Sequence, residues 1–159
     1  MDIRVGIGYD VHRLEEGYKL FIGGVKVPYE KGAVGHSDAD VLIHAIMDAL
    51  LGAAALRDIG FHFPDTDNSY KGIDSKVLLK KVKEILDYHN WAIVNIDTVI
   101  CLQAPKISSL IPDMQQKIAD VLGLEPDKVS IKATTTEKLG FIGRGEGISA
   151  QAVCLIAKK

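Results

Sequence analysis

Between Ser37 and Leu56 the apolar residues Val41, Leu42, Ala45, Ile46, Ala49, Leu50 and Ala53 recur at intervals of three and four. That is the period of one face of an α-helix. Such a face must be covered, and the cover has to come from elements of another period. Residues 3–9, Leu20–Pro28 (two short runs around Gly23-Gly24, a hairpin pattern), Trp91–Leu102, Val129–Thr134 and Ile148–Ala157 have the apolar character of strands. Ser37 is the expected cap of the first helix, with Asp40 three residues on, the capping-box spacing. A second helix is expected from Ser75 to about His89-Asn90, and a third from about Ser109 to Leu122, stopped by Gly123. Strand, helix and strand in the second half predict a right-handed crossover. The expected fold class is α+β. It has a mixed sheet of about four strands with three helices on one face, a ferredoxin-like sandwich, in a single domain over 1–159.

The segment Arg57–Gly72, RDIGFHFPDTDNSYKG, has no sustained period and is rich in Asp, Gly, Asn and Pro. A loop of that length inside a domain is commonly functional.

A chain of 159 residues with 47% hydrophobic and 25% charged content is ordinary for a globular domain. Its net charge of -2 excludes the whole-surface basic field of non-specific nucleic-acid binders. Cys101 and Cys154 both lie in apolar runs and are expected to be buried hydrophobes, not a disulfide framework. No apolar run approaches twenty residues and no targeting segment is visible, so a soluble, cytoplasmic protein of bacterial type is expected, with neither nucleic acid nor membrane as partner.

The stretch GYDVHRL places Asp10 and His12 two residues apart. On a strand they share a face, roughly 7 Å apart. An exposed strand end, an Asp–His couple and half of a metal site all fit that spacing. His44 lies four residues after Asp40 and four before Asp48, on one stripe opposite the apolar positions. Added to Asp10 and His12 it gives three ligands, the number a catalytic zinc site keeps beside an open position. A structural or solvated histidine fits the same position. His36, just before the helix start, is placed either for an anion at the helix N-terminus or as an ordinary loop residue. His62 receives no role. Gln103-Ala104-Pro105-Lys106 leaves the end of a strand, where ligands are often held, and a plain turn is the alternative. Lys132 to Gly147, KATTTEKLGFIGRGEG, combines hydroxyls, cations and glycines suited to phosphate oxygens. It is not a P-loop, and a glycine-rich hairpin with solvated charges also accounts for it.

Taken together and in order, GYDVHRL, IGGVKVPYEKG, HSDADVLIHAIMDALLGAAALRDIG, HFPDTD, QAPK and KATTTEKLGFIGRGEGI closely resemble the 2-C-methyl-D-erythritol 2,4-cyclodiphosphate synthase family across essentially the whole chain. The resemblance implies zinc on Asp10, His12 and His44. It implies a second divalent ion, magnesium or manganese, on Glu137. His36 and Thr135 match catalytic groups, with Ser37 beside His36 against the phosphates. Asp58, Ile59, Gly60, Phe63, Pro64, Asp65, Thr66 and Asp67 match the loop that holds the methylerythritol part. Ala104, Pro105, Lys106, Ile107, Ser108, Ser109 and Leu110 match the cytidine-binding turn, with Ala133, Thr134 and Thr136 completing the substrate contacts. Phe141 and Arg144 match a separate cavity on a threefold axis that can hold an isoprenoid diphosphate. A homotrimer with active sites between subunits is implied. Gln151 departs from the family pattern, where a Glu is frequent near that axis.

The implied reaction converts 4-diphosphocytidyl-2-C-methyl-D-erythritol 2-phosphate to the cyclic diphosphate and CMP, in the non-mevalonate route to isoprenoids. Two other readings are a zinc phosphoesterase acting on a nucleotide conjugate and a non-catalytic nucleotide- or RNA-binding module. The last would need exposed aromatics on central strands, and only Trp91 begins a candidate strand.

Overall fold

The structure, a computed structural model, describes residues 1–159. Its elements are β1 (Ile3–Glu16), β2 (Leu20–Ile22), β3 (Val25–Val27), β4 (Lys31–Val34), α1 (Val41–Ala53), α2 (Ile59–His62), α3 (Ser75–Tyr88), β5 (Trp91–Cys101), α4 (Ile111–Leu122), β6 (Val129–Thr134), α5 (Gly140–Gly143) and β7 (Gly147–Lys158). The α+β class holds. The sheet has five strands, not about four, in the order β4-β1-β7-β5-β6, and β2-β3 is a separate hairpin. The order also departs from the β-α-β-β-α-β succession of ferredoxin-like sandwiches. Here β5 and β6 pair in parallel across α4, and β7 enters antiparallel between β1 and β5.

The first strand runs to Glu16 and does not stop near residue 9. Its alternation continues through polar residues: Gly6, Gly8, Asp10, His12 and Leu14 face the helices, while Val5, Ile7, Tyr9 and Val11 face out and are exposed. Asp10 and His12 therefore occupy the core side of a paired strand and not a strand end.

Helix α1 starts at Val41 with Asp40, not Ser37, as its cap. Tertiary structure decides between these caps. The Asp40 carboxylate accepts from the Ile43 N–H of its own helix and from Gly23 and Gly24 N–H at the β2-β3 turn, where both glycines have positive φ. Burial pushes this carboxyl up to about 6 against the pull of those three donors. Asp74 likewise replaces Ser75 as the cap of α3. Helix α1 is buried almost all round, including Ile43, Met47, Leu50 and Leu51, because the sheet covers one side and α3 and the hairpin cover the other. The expected polar stripe is thus internal: Asp40 is 0% and His44 8% exposed.

Candidate metal centre and active site

Helix α1 rests directly on the backbone of β1 at Gly6 and Gly8, through Ala45, Ala49 and Ala53. The next inward positions of that strand are Asp10 and His12, and the helix residue beside them is His44. Asp10 Oδ2 lies 2.8 Å from His12 Nε2 and 3.1 Å from His44 Nδ1, and the two ring nitrogens are 3.3 Å apart. Three ligand atoms at about 2.05 Å from one tetrahedral ion stand about 3.3 Å from each other, so this triangle fits a divalent metal. These are the residues of the chain that converge in this way.

Each histidine is held by its other nitrogen. His12 Nδ1–H donates to the Val34 carbonyl at 3.0 Å. His44 Nε2 lies 2.9 Å from Ser75 Oγ and 3.1 Å from Ser37 Oγ. Burial alone would raise the Asp10 carboxyl, but hydrogen bonds and charge from His12 and His44 outweigh it and bring it down to about 2. Burial would lower His12, and Asp10 outweighs it to raise the imidazole above its usual value.

A hollow of about 330 Å³ opens over the three residues. His36, Ser37, Ile59, Gly60, Phe63 and Asp65 line it, as do Tyr70 and Leu78, which the sequence did not suggest. The Arg57–Gly72 loop is ordered by its own short contacts. Asp48 accepts from Ile59 N–H, Asp58 caps α2 through Phe61 N–H, and Asp67 accepts from Ser69 N–H. His36 Nε2–H donates to the Asp67 carbonyl at 3.0 Å. The helix that follows it is capped at Asp40, whose carboxylate takes the Ile43 N–H. Pro64 and Thr66 lie in the same loop, outside the lining.

A second hollow, of about 180 Å³, lies at the C-terminal ends of β5 and β6, with Pro105, Lys106, Ile107, Ser108, Ala133, Thr134 and Thr135 in its wall beside Leu102 and Gln103. The Ala104–Pro105 peptide is cis, and Ser109 and Leu110 continue away from the hollow toward α4. The register Asp10↔Ala150↔Ile100↔Ala133 places the two hollows at the same level of the sheet. Three strand spacings separate them within one chain, about 14 Å.

Glu137 is not part of the metal-ligating group. It is exposed, has φ 54, and its N–H donates to Thr135 Oγ1. Thr136 donates its hydroxyl to the Leu139 carbonyl. Phe141 lines a third hollow with Val11, His12, Arg13, Glu146 and Gly147, while Arg144 forks onto Glu146.

The profile of the YgbB family matches residues 3–157. The chain is 60% identical over 156 residues to the 2-C-methyl-D-erythritol 2,4-cyclodiphosphate synthase of Chloroherpeton thalassium, covering 98% of this chain and 99% of that one. It is 59% identical to that of Clostridium perfringens, covering 98% and 100%. Among solved structures, the bifunctional IspDF protein of Campylobacter jejuni superposes with a TM-score of 0.96 at 40% identity, covering 99% of this chain and 43% of that one. The CDP complex of IspF from Plasmodium falciparum superposes with a TM-score of 0.87 at 34% identity, covering 99% and 97%. With a metal-ready triad beneath one hollow and a second hollow at the same level of the sheet, the chain belongs to the YgbB family, which includes the 2-C-methyl-D-erythritol 2,4-cyclodiphosphate synthases.

Proposed function

We propose that residues 1–159 form one catalytic domain that converts 4-diphosphocytidyl-2-C-methyl-D-erythritol 2-phosphate to 2-C-methyl-D-erythritol 2,4-cyclodiphosphate and CMP. It is a phosphorus-oxygen lyase of non-mevalonate isoprenoid biosynthesis. The observation that carries this reading is the convergence of Asp10, His12 and His44 under an open hollow, in a chain of this family.

The 2-phosphate attacks the β-phosphorus, the bond to the CMP oxygen breaks, and an eight-membered ring closes. Nucleophile and electrophile belong to one molecule, so the protein must fold the substrate back on itself and oppose the repulsion of two anionic groups. Zinc on Asp10, His12 and His44, with magnesium or manganese on Glu137, supplies Lewis acidity and charge neutralisation. Ser37 and His36 face the phosphates from the wall of the metal hollow. Thr135, at the rim of the second hollow, donates to the transferred phosphoryl group. The Asp58–Asp67 loop holds the methylerythritol hydroxyls, and the Ala104–Leu110 turn with Ala133, Thr134 and Thr136 holds the cytidine. No side chain acts as a covalent nucleophile.

The protein assembles as a homotrimer in which the metal hollow of one subunit meets the cytidine hollow of its neighbour. The exposed outer sheet face supports this: Val5, Ile7, Tyr9, Val11 and Val153 stand uncovered there, and an apolar surface of this kind marks an interface. The hollow beside Phe141, with Arg144 near it, is the candidate site for an isoprenoid diphosphate on the threefold axis. Gln151, exposed on the same face between Tyr9 and Val99, carries no charge toward it.

Phosphorus NMR of the cytidine substrate with protein, zinc and magnesium tests the reading. Equal amounts of CMP and a cyclic diphosphate, abolished by a chelator, are expected. CMP with a linear diphosphate would assign a phosphoesterase to this scaffold instead.

A further inference from the structure

The last rung between β5 and β6 is the Leu102 N–H on the Thr134 carbonyl at 3.0 Å. Beyond it the two chains part, one into a turn over residues 103–110 and the other into a turn over residues 135–139. The side chain of Gln103 bridges the gap. Its Oε1 accepts the Lys138 N–H at 3.1 Å from 35 residues away, the only hydrogen bond between the two turns. The second turn needs such a hold. Glu137 and Lys138 have φ 54 and 64, a left-handed pair with no glycine in it, and both β-carbons are crowded there. The other contacts that keep the pair in place come from within residues 135–143. Glu137 N–H donates to Thr135 Oγ1 at 3.2 Å, and Leu139 N–H donates to the Thr136 carbonyl at 2.9 Å. Gly143 packs beneath, where a β-carbon would stand 2.1 Å from the Lys138 carbonyl carbon. Gln103 alone reaches the pair from the wall of the nucleotide hollow. The Glu137 N–H in turn directs Thr135: with that donor seated on Oγ1, the hydroxyl proton must point elsewhere.

We propose that Gln103 is a positioning residue for the cyclisation. By holding Lys138 left-handed it seats the Glu137 N–H on Thr135 Oγ1, which leaves the Thr135 hydroxyl free to donate to phosphate, and it fixes where the Glu137 carboxylate leaves the turn. The same side chain lines the nucleotide hollow, so the seat of the cytidine and the phosphate-facing turn are set as one piece. This rests on the roles given to Thr135 and Glu137 under Proposed function, but the hold on the turn is a property of the ligand-free chain. Gln103→Leu keeps the bulk and accepts no hydrogen bond. The left-handed pair then loses its one outside support, and the Thr135 hydroxyl drifts from its line. Misplacement of this kind costs about 10–100-fold in rate. Lys138→Gly removes the crowding that Gln103 offsets, because glycine takes up this conformation freely. In that background the loss of Gln103 matters less.

Three measurements on the native chain, Gln103→Leu, Lys138→Gly and the double variant test the proposal, with circular dichroism as the folding control. Steady-state turnover reads kcat, calorimetry with CDP reads nucleotide affinity, and amide hydrogen exchange by NMR reads the ligand-free turn. Gln103→Ala repeats them with a side chain too small to crowd the hollow. In Gln103→Leu, kcat is expected to fall by about 10–100-fold while CDP affinity stays near native. The Glu137 and Leu139 amides, whose acceptors lie inside the turn, are expected to exchange about 10-fold faster. The fall in kcat should be smaller when Gln103→Leu is added to Lys138→Gly. A folded Gln103→Leu with native kcat overturns the proposal. So does a loss confined to CDP affinity, which would make Gln103 a nucleotide contact only, and so does an undiminished fall in the glycine background. Native exchange at Glu137 and Leu139 in both Gln103 variants overturns it too, and decides the matter even where nothing turns over. A native chain that converts no substrate would instead refute the cyclisation under Proposed function.

Discussion

Gly8 lies directly beneath Ala45: a β-carbon added to Gly8 would stand 1.9 Å from the Ala45 carbonyl oxygen, and one added to Gly6 would stand 2.0 Å from that of Ala49. The obstacle in both cases is helix backbone, which cannot swing aside. This contact sets the distance between strand and helix, and through it the distance between Asp10 and His44. Gly8→Ala is expected to lift α1 from β1, lowering stability by about 2 kcal/mol or more and weakening metal binding more than stability alone explains. Urea unfolding and zinc titration of the same preparation check this.

His44→Ala removes one corner of the ligand triangle while leaving Asp40, which caps α1, in place. The variant is expected to stay folded by circular dichroism and to lose stoichiometric zinc after dialysis. Zinc retained at the native ratio would contradict the ligand assignment.

Asp40→Ala leaves the N–H groups of Gly23, Gly24 and Ile43 without their acceptor. The expected cost is about 2–4 kcal/mol near pH 4. The cost depends on pH because burial holds the Asp40 carboxyl at about 6 in the folded chain against an ordinary value of 3.8. Between those values the folded state binds the proton more tightly than the unfolded one, so the stability contributed by this group falls as pH rises. The gap between the native chain and Asp40→Ala should therefore narrow from about pH 4 to about pH 6, as read by urea unfolding across that range.

The two cysteines should separate by reactivity. Burial pushes the Cys154 thiol up to about 11, against a donor from the Gly6 backbone that pulls the other way. At mildly alkaline pH almost none of it is thiolate, the reactive form. Cys101, expected from its sequence to be buried, is only partly so, because it lies at the end of β5. A thiol reagent should leave Cys154 unmodified in the native protein and label both after denaturation. Mass spectrometry of the labelled chain reads this directly.

What the sequence makes legible here is what local chemistry decides. The Gly23-Gly24 hairpin, the stop at Gly123 (φ 67) and the strand Val129–Thr134 stand where their turn residues and apolar patterns place them. The first strand looks shorter than it is because Asp10 and His12 occupy core-facing positions that a purely structural strand would fill with apolar residues. Such breaks in pattern are expected at functional sites. Ser37, Asp38 and Asp40 are all competent caps, and only the distant Gly23-Gly24 turn selects Asp40. The ligand triad is visible as Asp-x-His plus a helix histidine. Its support is not, since Ser75 reads as a helix cap until the fold brings it against His44.

In the proposed cyclisation, ring closure uses an oxygen already in the substrate. The most direct test is mass spectrometry of both products after turnover in water enriched in oxygen-18. Neither CMP nor the cyclic diphosphate is expected to carry the label. Heavy oxygen in either product would mean that water attacks phosphorus in this site, and would contradict the cyclisation chemistry.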